Sequence, residues 1–307
     1  MFTVRARASD KLKIYKRGAF MRVSTEICST ARHVGEEKAI ELIAKAGFDC
    51  YDFSMFDMAR VDWSNMTVIE GTHPLSGSEY VKFAKRIRSV ADGCGIECNQ
   101  SHAPFPSRIV GIDYIKRAIE CTAIAGGKIC IVHPDNNLGP MENAQMYNAL
   151  LPFAKEHGVK IATENMWNWK KDAKTSCPAA CSLAEDFVAH VDAVNDPYLV
   201  ACLDIGHAEM VGSGSGAYNM IKALGSRLQA LHIHDNDCLG DNHEIPFSLN
   251  IDFDKVATGL YEIGYAGELT LEADRYLSRF DKDTVEKGVL DLYNSVKRLE
   301  EMIKSKG

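Results

Sequence analysis

Residues 231–247 read LHIHDNDCLGDNHEIPF, which gathers His232, His234 and His243 with Asp235, Asp237, Asp241 and Glu244. Imidazoles and carboxylates at this density can hold a divalent cation or carry protons, and here an apolar run leads straight into them. Other apolar runs of the chain end in the same way. His102 closes "CNQSHAPF", His133 "ICIVHPD", Glu164 "KIATEN", Asp204 "VACLDIGH" and Glu272 "LTLEA". Carboxylates crowded together repel, and burying them uncompensated costs several kcal/mol each; a cation removes both penalties. Mixed carboxylate and imidazole ligands suit Mn2+, Co2+, Zn2+ or Fe2+ better than an all-oxygen Ca2+ cage.

The elements that must present these groups follow a repeating rhythm from Met21 onward. Eight short β-rich runs, at 22–28, 48–54, 95–103, 127–134, 159–165, 198–206, 228–235 and 267–273, alternate with helical patterns such as 36–48 and 113–127. Gly-containing turns precede several of the strands. Eight such units predict a single (β/α)8 TIM barrel over 21–307, with chemistry at the C-terminal strand ends. Alternation along each strand sends Cys98, Gln100 and His102 one way, and likewise Ile129, Ile131 and His133. The same parity groups Ala162 with Glu164, and Val200 and Cys202 with Asp204. On the last two strands it groups Leu228, Ala230, His232 and His234, then Glu268, Thr270 and Glu272. One ring of His102, His133, Glu164, Asp204, His232 and Glu272 at the barrel mouth results. His207 is placed to turn back toward it, and the loop after strand 7 to bring Asp241 and His243 over it.

Bulk properties narrow the field. The 307 residues are 46% hydrophobic and carry a formal net charge of −7, which disfavours a polyanionic partner. No apolar run is long enough to span a membrane and no signal-peptide pattern opens the chain, so a cytoplasmic location is expected. Ten scattered cysteines without a scaffold pattern suggest reduced thiols. Residues 1–20 hold six Lys/Arg against Asp10, and read as a basic extension ahead of a natural start at Met21, or as a loose surface arm. The Gly/Ser patch "VGSGSGAY" (211–218) lacks the Lys and spacing of a phosphate loop, and reads as a flexible active-site or interface loop.

The motifs "ATEN", "LDIGH", "HIHD" with "DNHEIPFSLNIDF", and "YEIGYAGELTLEA" resemble those of the xylose isomerase-like barrel superfamily over roughly 21–300. That superfamily holds sugar and sugar-phosphate isomerases and epimerases together with the endonuclease IV group. The resemblance implies one divalent metal, Mn2+ first and Co2+, Mg2+ or Zn2+ as alternatives, on Glu164, Asp204, His232 and Glu272. It also makes Glu164 and Glu272 the acid/base pair on opposite faces of a carbohydrate substrate. A cation on a ketose carbonyl and its neighbouring hydroxyl acidifies the adjacent C–H and stabilises an enediolate, from which the proton returns to the same carbon or the next. Glu26 and Asp52 end the inward faces of strands 1 and 2, where relatives bind substrate hydroxyls. Trp167 and Trp169 are placed to wall the pocket. His207 and His234 are expected substrate contacts, and relatives commonly form homo-oligomers.

A second enzyme reading comes from the same motifs. Endonuclease IV holds three zinc ions with nine ligands, and His102, His133, Glu164, Asp204, His207, His232, Asp241, His243 and Glu272 match all nine. Against a phosphodiesterase acting on abasic-site DNA, "HAPF" lacks the tyrosine of the nuclease motif, and "ENMWN" replaces its "ENTAG". A lyase, dehydratase or deglycosylase working through the same enediolate, and a non-catalytic sugar- or metal-binding barrel, complete the alternatives.

Overall fold

The computed structural model describes residues 21–69 and 71–307; the basic stretch 1–20 lies outside the described residues. Eight parallel strands form one sheet: β1 (Val23–Glu26), β2 (Cys50–Ser54), β3 (Glu97–His102), β4 (Ile129–Ile131), β5 (Lys160–Glu164), β6 (Leu199–Asp204), β7 (Leu228–His232) and β8 (Leu269–Leu271). They pair in chain order from β1 to β7, and β8 pairs with β1. A parallel bridge between Ile233 and Leu271, with hydrogen bonds of 2.9 and 3.0 Å, joins β7 to β8 and closes the barrel. Every strand lies within its sequence-expected window. Each strand leads into helix on the outside, such as Glu36–Ala46 after β1 and Ile112–Ala125 after β3. Gly47, at φ +108°, ends the first of these in a conformation that side chains resist, and a Cβ there would press on the Tyr293 ring. No described helix is long and apolar enough to cross a membrane.

Apolar side chains fall into two layers. The larger packs between sheet and helices; the smaller fills the barrel interior with Ile129, Ile131, Ala162, Val200, Cys202 and Ala230. This interior set is the one that strand parity predicts, with two corrections. Tyr51 pairs with Cys98 but Asp52 with Gln100, so a bulge at Asn99 turns Cys98 out to the helix layer and Asn99 inward. On β7, Ala201 pairs with Leu228 but Cys202 with Ala230, and Leu228 likewise leaves the interior. An inserted residue reverses parity on one side of itself, and sequence alternation alone does not reveal where it sits.

The additions beyond the eight-fold unit cluster after the C-terminal strand ends. Two antiparallel hairpins, Arg60–Asp62 with Thr67–Ile69 and Trp167–Lys170 with Thr175–Pro178, follow β2 and β5. A long loop from Ile233 to Asp252 follows β7. The Gly/Ser patch is packed, contrary to expectation. Ser213 is buried, Val211 N–H donates to the Cys238 carbonyl at 2.8 Å, and a Cβ on Gly214 would lie 1.9 Å from the Ala208 carbonyl. All ten cysteines are unpaired.

Candidate active site

Strand ends and the loop after β7 bring His102, His133, Glu164, Asp204, His207, His232, Asp241, His243 and Glu272 together at the barrel mouth. Glu164, Asp204, His232 and Glu272 form one set whose ligand atoms lie mutually close. His232 Nδ1 is 3.3 Å from both Glu164 Oε1 and Glu272 Oε2. Neighbouring ligands bound about 2.1 Å from a tetrahedral ion stand about 3.4 Å apart, so this spacing suits a shared cation. Glu164 also meets His133 at 3.2 Å and His102 at 3.7 Å, and the two histidines face each other Nε2 to Nε2 at 2.9 Å. A third set joins His207, His234, Asp241 and His243, with Asp241 3.4 Å from His207 and 3.1 Å from His243.

Backbone carbonyls select the tautomers. Nδ1–H of His102 donates to Ala103 O at 2.7 Å, that of His207 to Asn165 O at 2.8 Å, and that of His243 to Glu272 O at 2.7 Å. Each leaves Nε2 facing the site as the nitrogen that would ligate a metal, the arrangement of metal-binding histidines. His232 is turned the other way. Its Nε2 meets Asp52 Oδ2 at 3.4 Å, and its Nδ1 faces the two glutamates.

Buried atoms without partners test whether a cation belongs here. Glu164 Oε2, Asp204 Oδ2, His232 Nδ1 and Asp241 Oδ1 have no hydrogen-bond partner, and they make up half of the eight such side-chain atoms among the described residues. Buried polar atoms are almost always satisfied; three of these orphans belong to the Glu164–Asp204–His232–Glu272 set and the fourth to the Asp241 set, and they fit a divalent ion that supplies the missing interaction.

Electrostatics divide the two glutamates. Burial opposes charge on Glu164, but the His232 and His133 imidazoles hold it well below the ordinary carboxylate range. Burial pushes Glu272 up to about 8; His232 and His243 pull against this, while Glu164 and Asp204 add to it. Burial also opposes the charge of His207, yet Asp204 and Asp241 raise it to about 10. Burial raises Glu26 to about 7 although Ser29 donates to it from its N–H and its hydroxyl.

The mouth opens into a cavity of about 1230 Å3 lined by Glu26, His102, His133, Glu164, Trp167, His207, Asp241, His243 and Glu272, among others. Asp52 and His234, expected as substrate contacts, do not line it. Asp52 is fully buried beneath His232 and accepts from Gln100 Nε2 at 2.9 Å. His234 is also fully buried, with Nε2 3.1 Å from Asp204 Oδ1 and its ring stacked 3.9 Å from His243. Trp169 does not line the cavity either; it packs edge-on against Trp167, 6.4 Å away.

Several positioning residues escaped the sequence reading. Asn165, inside "ATEN", accepts from Asp204 N–H at 2.8 Å and donates to its carbonyl at 2.9 Å. Asp235 accepts from the Leu249 and Ile251 N–H groups at 2.8 and 3.0 Å, which anchors the loop bearing Asp241 and His243. Gly206, inside "LDIGH", is required because a Cβ would sit 1.9 Å from the His234 ring. His207 lies not in a loop but in a helical turn, Ile205–Glu209, capped by Asp204 Oδ1 accepting from His207 N–H at 2.7 Å. Phe56, Trp63 and Phe105, and the arginines Arg32, Arg108 and Arg275, also line the cavity, from turns and short helices without periodic pattern.

Comparison with known proteins places this architecture. The chain matches the model of the xylose isomerase-like TIM barrel family over residues 40–297 and belongs to that family. An uncharacterized protein of Methanocaldococcus jannaschii is 25% identical over 281 residues, covering 83% of this chain and 85% of the relative. A crystal structure of D-psicose 3-epimerase with D-fructose superposes with a TM-score of 0.68 at 14% identity, covering 92% of this chain and 100% of that one. The IOLI protein with a bound zinc atom gives a TM-score of 0.68 at 18% identity, covering 92% and 98%.

Proposed function

We propose that this protein is a divalent-metal-dependent isomerase or epimerase of a keto-sugar or polyol, with Glu164, Asp204, His232 and Glu272 as metal ligands. The observation that carries the reading is the convergence of two buried glutamates on His232, whose Nδ1 stands 3.3 Å from Glu164 Oε1 and from Glu272 Oε2 in one set of mutually close ligand atoms. Glu164 takes the proton from the carbon next to the carbonyl. Glu272 faces the other side and delivers a proton there in exchange with solvent, and return to the same carbon or its neighbour separates epimerisation from isomerisation. When bound, the metal supplies Lewis-acid polarisation of the carbonyl. Mn2+ leads, with Co2+, Mg2+ and Zn2+ as alternatives; zinc in the IOLI protein and the sugar epimerase among the structural neighbours support the class. His207 and Glu26 face the cavity and are assigned to substrate hydroxyls, and Trp167 to a sugar face.

The test is solvent exchange. Protein loaded with each metal in D2O is mixed with ketohexoses and with the keto-disaccharides lactulose and maltulose, and deuterium at the carbon beside the carbonyl is followed by NMR. Incorporation with wild type, lost in Glu164→Gln and Glu272→Gln, is the expected result; no incorporation with any metal or keto-sugar sinks the reading.

One observation favours a second reading. All nine groups of a trinuclear site converge, including the His102–His133 pair and the His207–Asp241–His243 cluster. Close to three zinc ions per chain, with cleavage of an abasic-site duplex, would select a phosphodiesterase; about one ion per chain selects the isomerase.

A further inference from the structure

The geometry points to a second carbohydrate subsite in the outer part of the cavity, which makes the substrate a glycoside of at least two rings, not a free monosaccharide. The inference rests on the isomerase or epimerase reading for the identity of the reacting ring. Three observations carry it. The first is size: the cavity, about 1230 Å3, exceeds the roughly 300–1,000 Å3 of pockets for drug-sized ligands, and a hexose is smaller than such ligands. Glu164 and Glu272 line this space from buried positions while Trp63 and Met66 line it from exposed ones, so the space extends well beyond the metal-ligand groups.

The second is the chemistry of the outer wall. Trp63 and Met66, from the hairpin after β2, line the cavity together with Phe105 and Trp167, and Asn137 and Asn168 border the same space. The amides are held in a fixed chain. Asn136 Nδ2 donates to Trp167 O at 3.0 Å and to Asn168 Oδ1 at 3.2 Å, and Asn168 Nδ2 donates to Asn137 Oδ1 at 3.1 Å. Asn137 Nδ2 keeps its own donors for a ligand. Aromatic faces beside fixed amides match the two surfaces of a pyranose, its C–H face and its hydroxyl rim. The third is exposure: Trp63 is 63% and Met66 54% exposed while lining a cavity, surface that a ligand ring would cover. Two of the three arginines lining the cavity already face a carboxylate, Arg108 with Asp135 at 3.7 Å and Arg32 with Asp274 at 3.4 Å, and the fructose 6-phosphate titration below tests whether Arg275 draws an anionic extension instead.

Trp63, Trp167 and Trp169 are the three tryptophans of the chain, so intrinsic fluorescence reports on this wall without requiring turnover. The full-length, Mg2+-loaded protein is titrated with cellobiose, maltose and lactose, and in parallel with glucose, galactose and fructose 6-phosphate. At least one disaccharide is expected to saturate with a Kd tenfold or more below its monosaccharide. Trp63→Ala and Trp167→Phe are each expected to raise that Kd about tenfold, the discrimination a lost apolar contact supplies. Their thermal midpoints check folding, and the conservative Trp167→Phe covers the case in which Trp63→Ala does not fold. Equal affinity for one ring and two, unchanged Kd in both variants, or tighter binding of fructose 6-phosphate than of every disaccharide overturns the proposal. Solvent exchange keeps the two readings apart. Exchange on monosaccharides without disaccharide binding removes the subsite and leaves the isomerase; disaccharide binding with no exchange on any keto-sugar does the reverse.

Discussion

The two halves of the barrel interior are built differently. Below Glu164 and Asp204, strands β4 to β7 contribute Ile129, Ile131, Ala162, Val200, Cys202 and Ala230, an apolar plug. Across from it, β8, β1, β2 and β3 contribute a hydrogen-bonded network. Ser24 Oγ donates to Asn99 Oδ1 at 2.7 Å, Asn99 Nδ2 to Thr270 Oγ1 at 3.0 Å, and Gln100 to Asp52. The apolar half only packs. The polar half also reaches across to His232 through Asp52 and fixes which ring nitrogen faces the glutamates. The difference teaches that in this barrel stability and ligand orientation are carried by separate walls.

The largest test concerns the two glutamates, one delivered by each half. Glu164→Gln or Glu272→Gln is expected to lower turnover about 10²–10⁴-fold or more, with the far-UV spectrum and thermal midpoint near wild type. Full turnover in either variant would show that the two-carboxylate arrangement is not used. Next comes the apolar wall. Ile131→Ala is expected to cost about 2–5 kcal/mol of unfolding free energy in a denaturant titration, with metal affinity unchanged. A large loss of metal affinity there would erase the distinction between walls.

The polar wall should behave in the opposite way. Asp52→Asn keeps the shape but removes the charge that orients His232, so metal affinity measured by competition with a chelating dye should fall about 10–100-fold. Little change in affinity would reduce Asp52 to packing.

The smallest effect is on pH. His207 at about 10 and Glu272 at about 8 both bind their protons more tightly folded than unfolded, where values near 6.5 and 4.3 are usual. Their contribution to the metal-free protein is complete below the unfolded values and is lost as pH rises through the folded ones. Metal loading must displace the proton of Glu272, the one of the two in the proposed ligand set, so it tightens as pH rises toward that group's folded value. The gap in Tm between metal-loaded and chelator-treated protein should therefore widen from pH 6 to 9, by about 2–4 °C per kcal/mol gained. A gap that narrows over this range would mean that the Glu272 proton does not compete with the metal.

Much of this molecule is legible along the chain. The eight βα units follow from alternating periodicities, and the ring of Glu164, Asp204, His232 and Glu272 from a polar residue closing each apolar run. These signals are local, because strand parity and a strand's last residue depend on a few neighbours. The bulges at Asn99 and Gln229 were not legible, since an extra residue leaves alternation intact on either side and shifts only its phase. Asp52 and His234, expected to contact substrate, do not line the cavity for a related reason. Facing inward does not set depth, and both are fully buried, Asp52 against His232 and His234 against Asp204.

What the sequence by itself determined is the number of units, the inward faces and the chemical types at the strand ends. Tertiary structure alone decided which nitrogen of each histidine is free, because Ala103, Asn165 and Glu272 lend carbonyls that no local pattern assigns to His102, His207 and His243. It also decided the surroundings of two identical side chains. Glu164 meets His133 and His232, and Glu272 meets His232, within 4 Å through closure of the barrel, and Coulomb energy at that range depends on distances that chain order does not set.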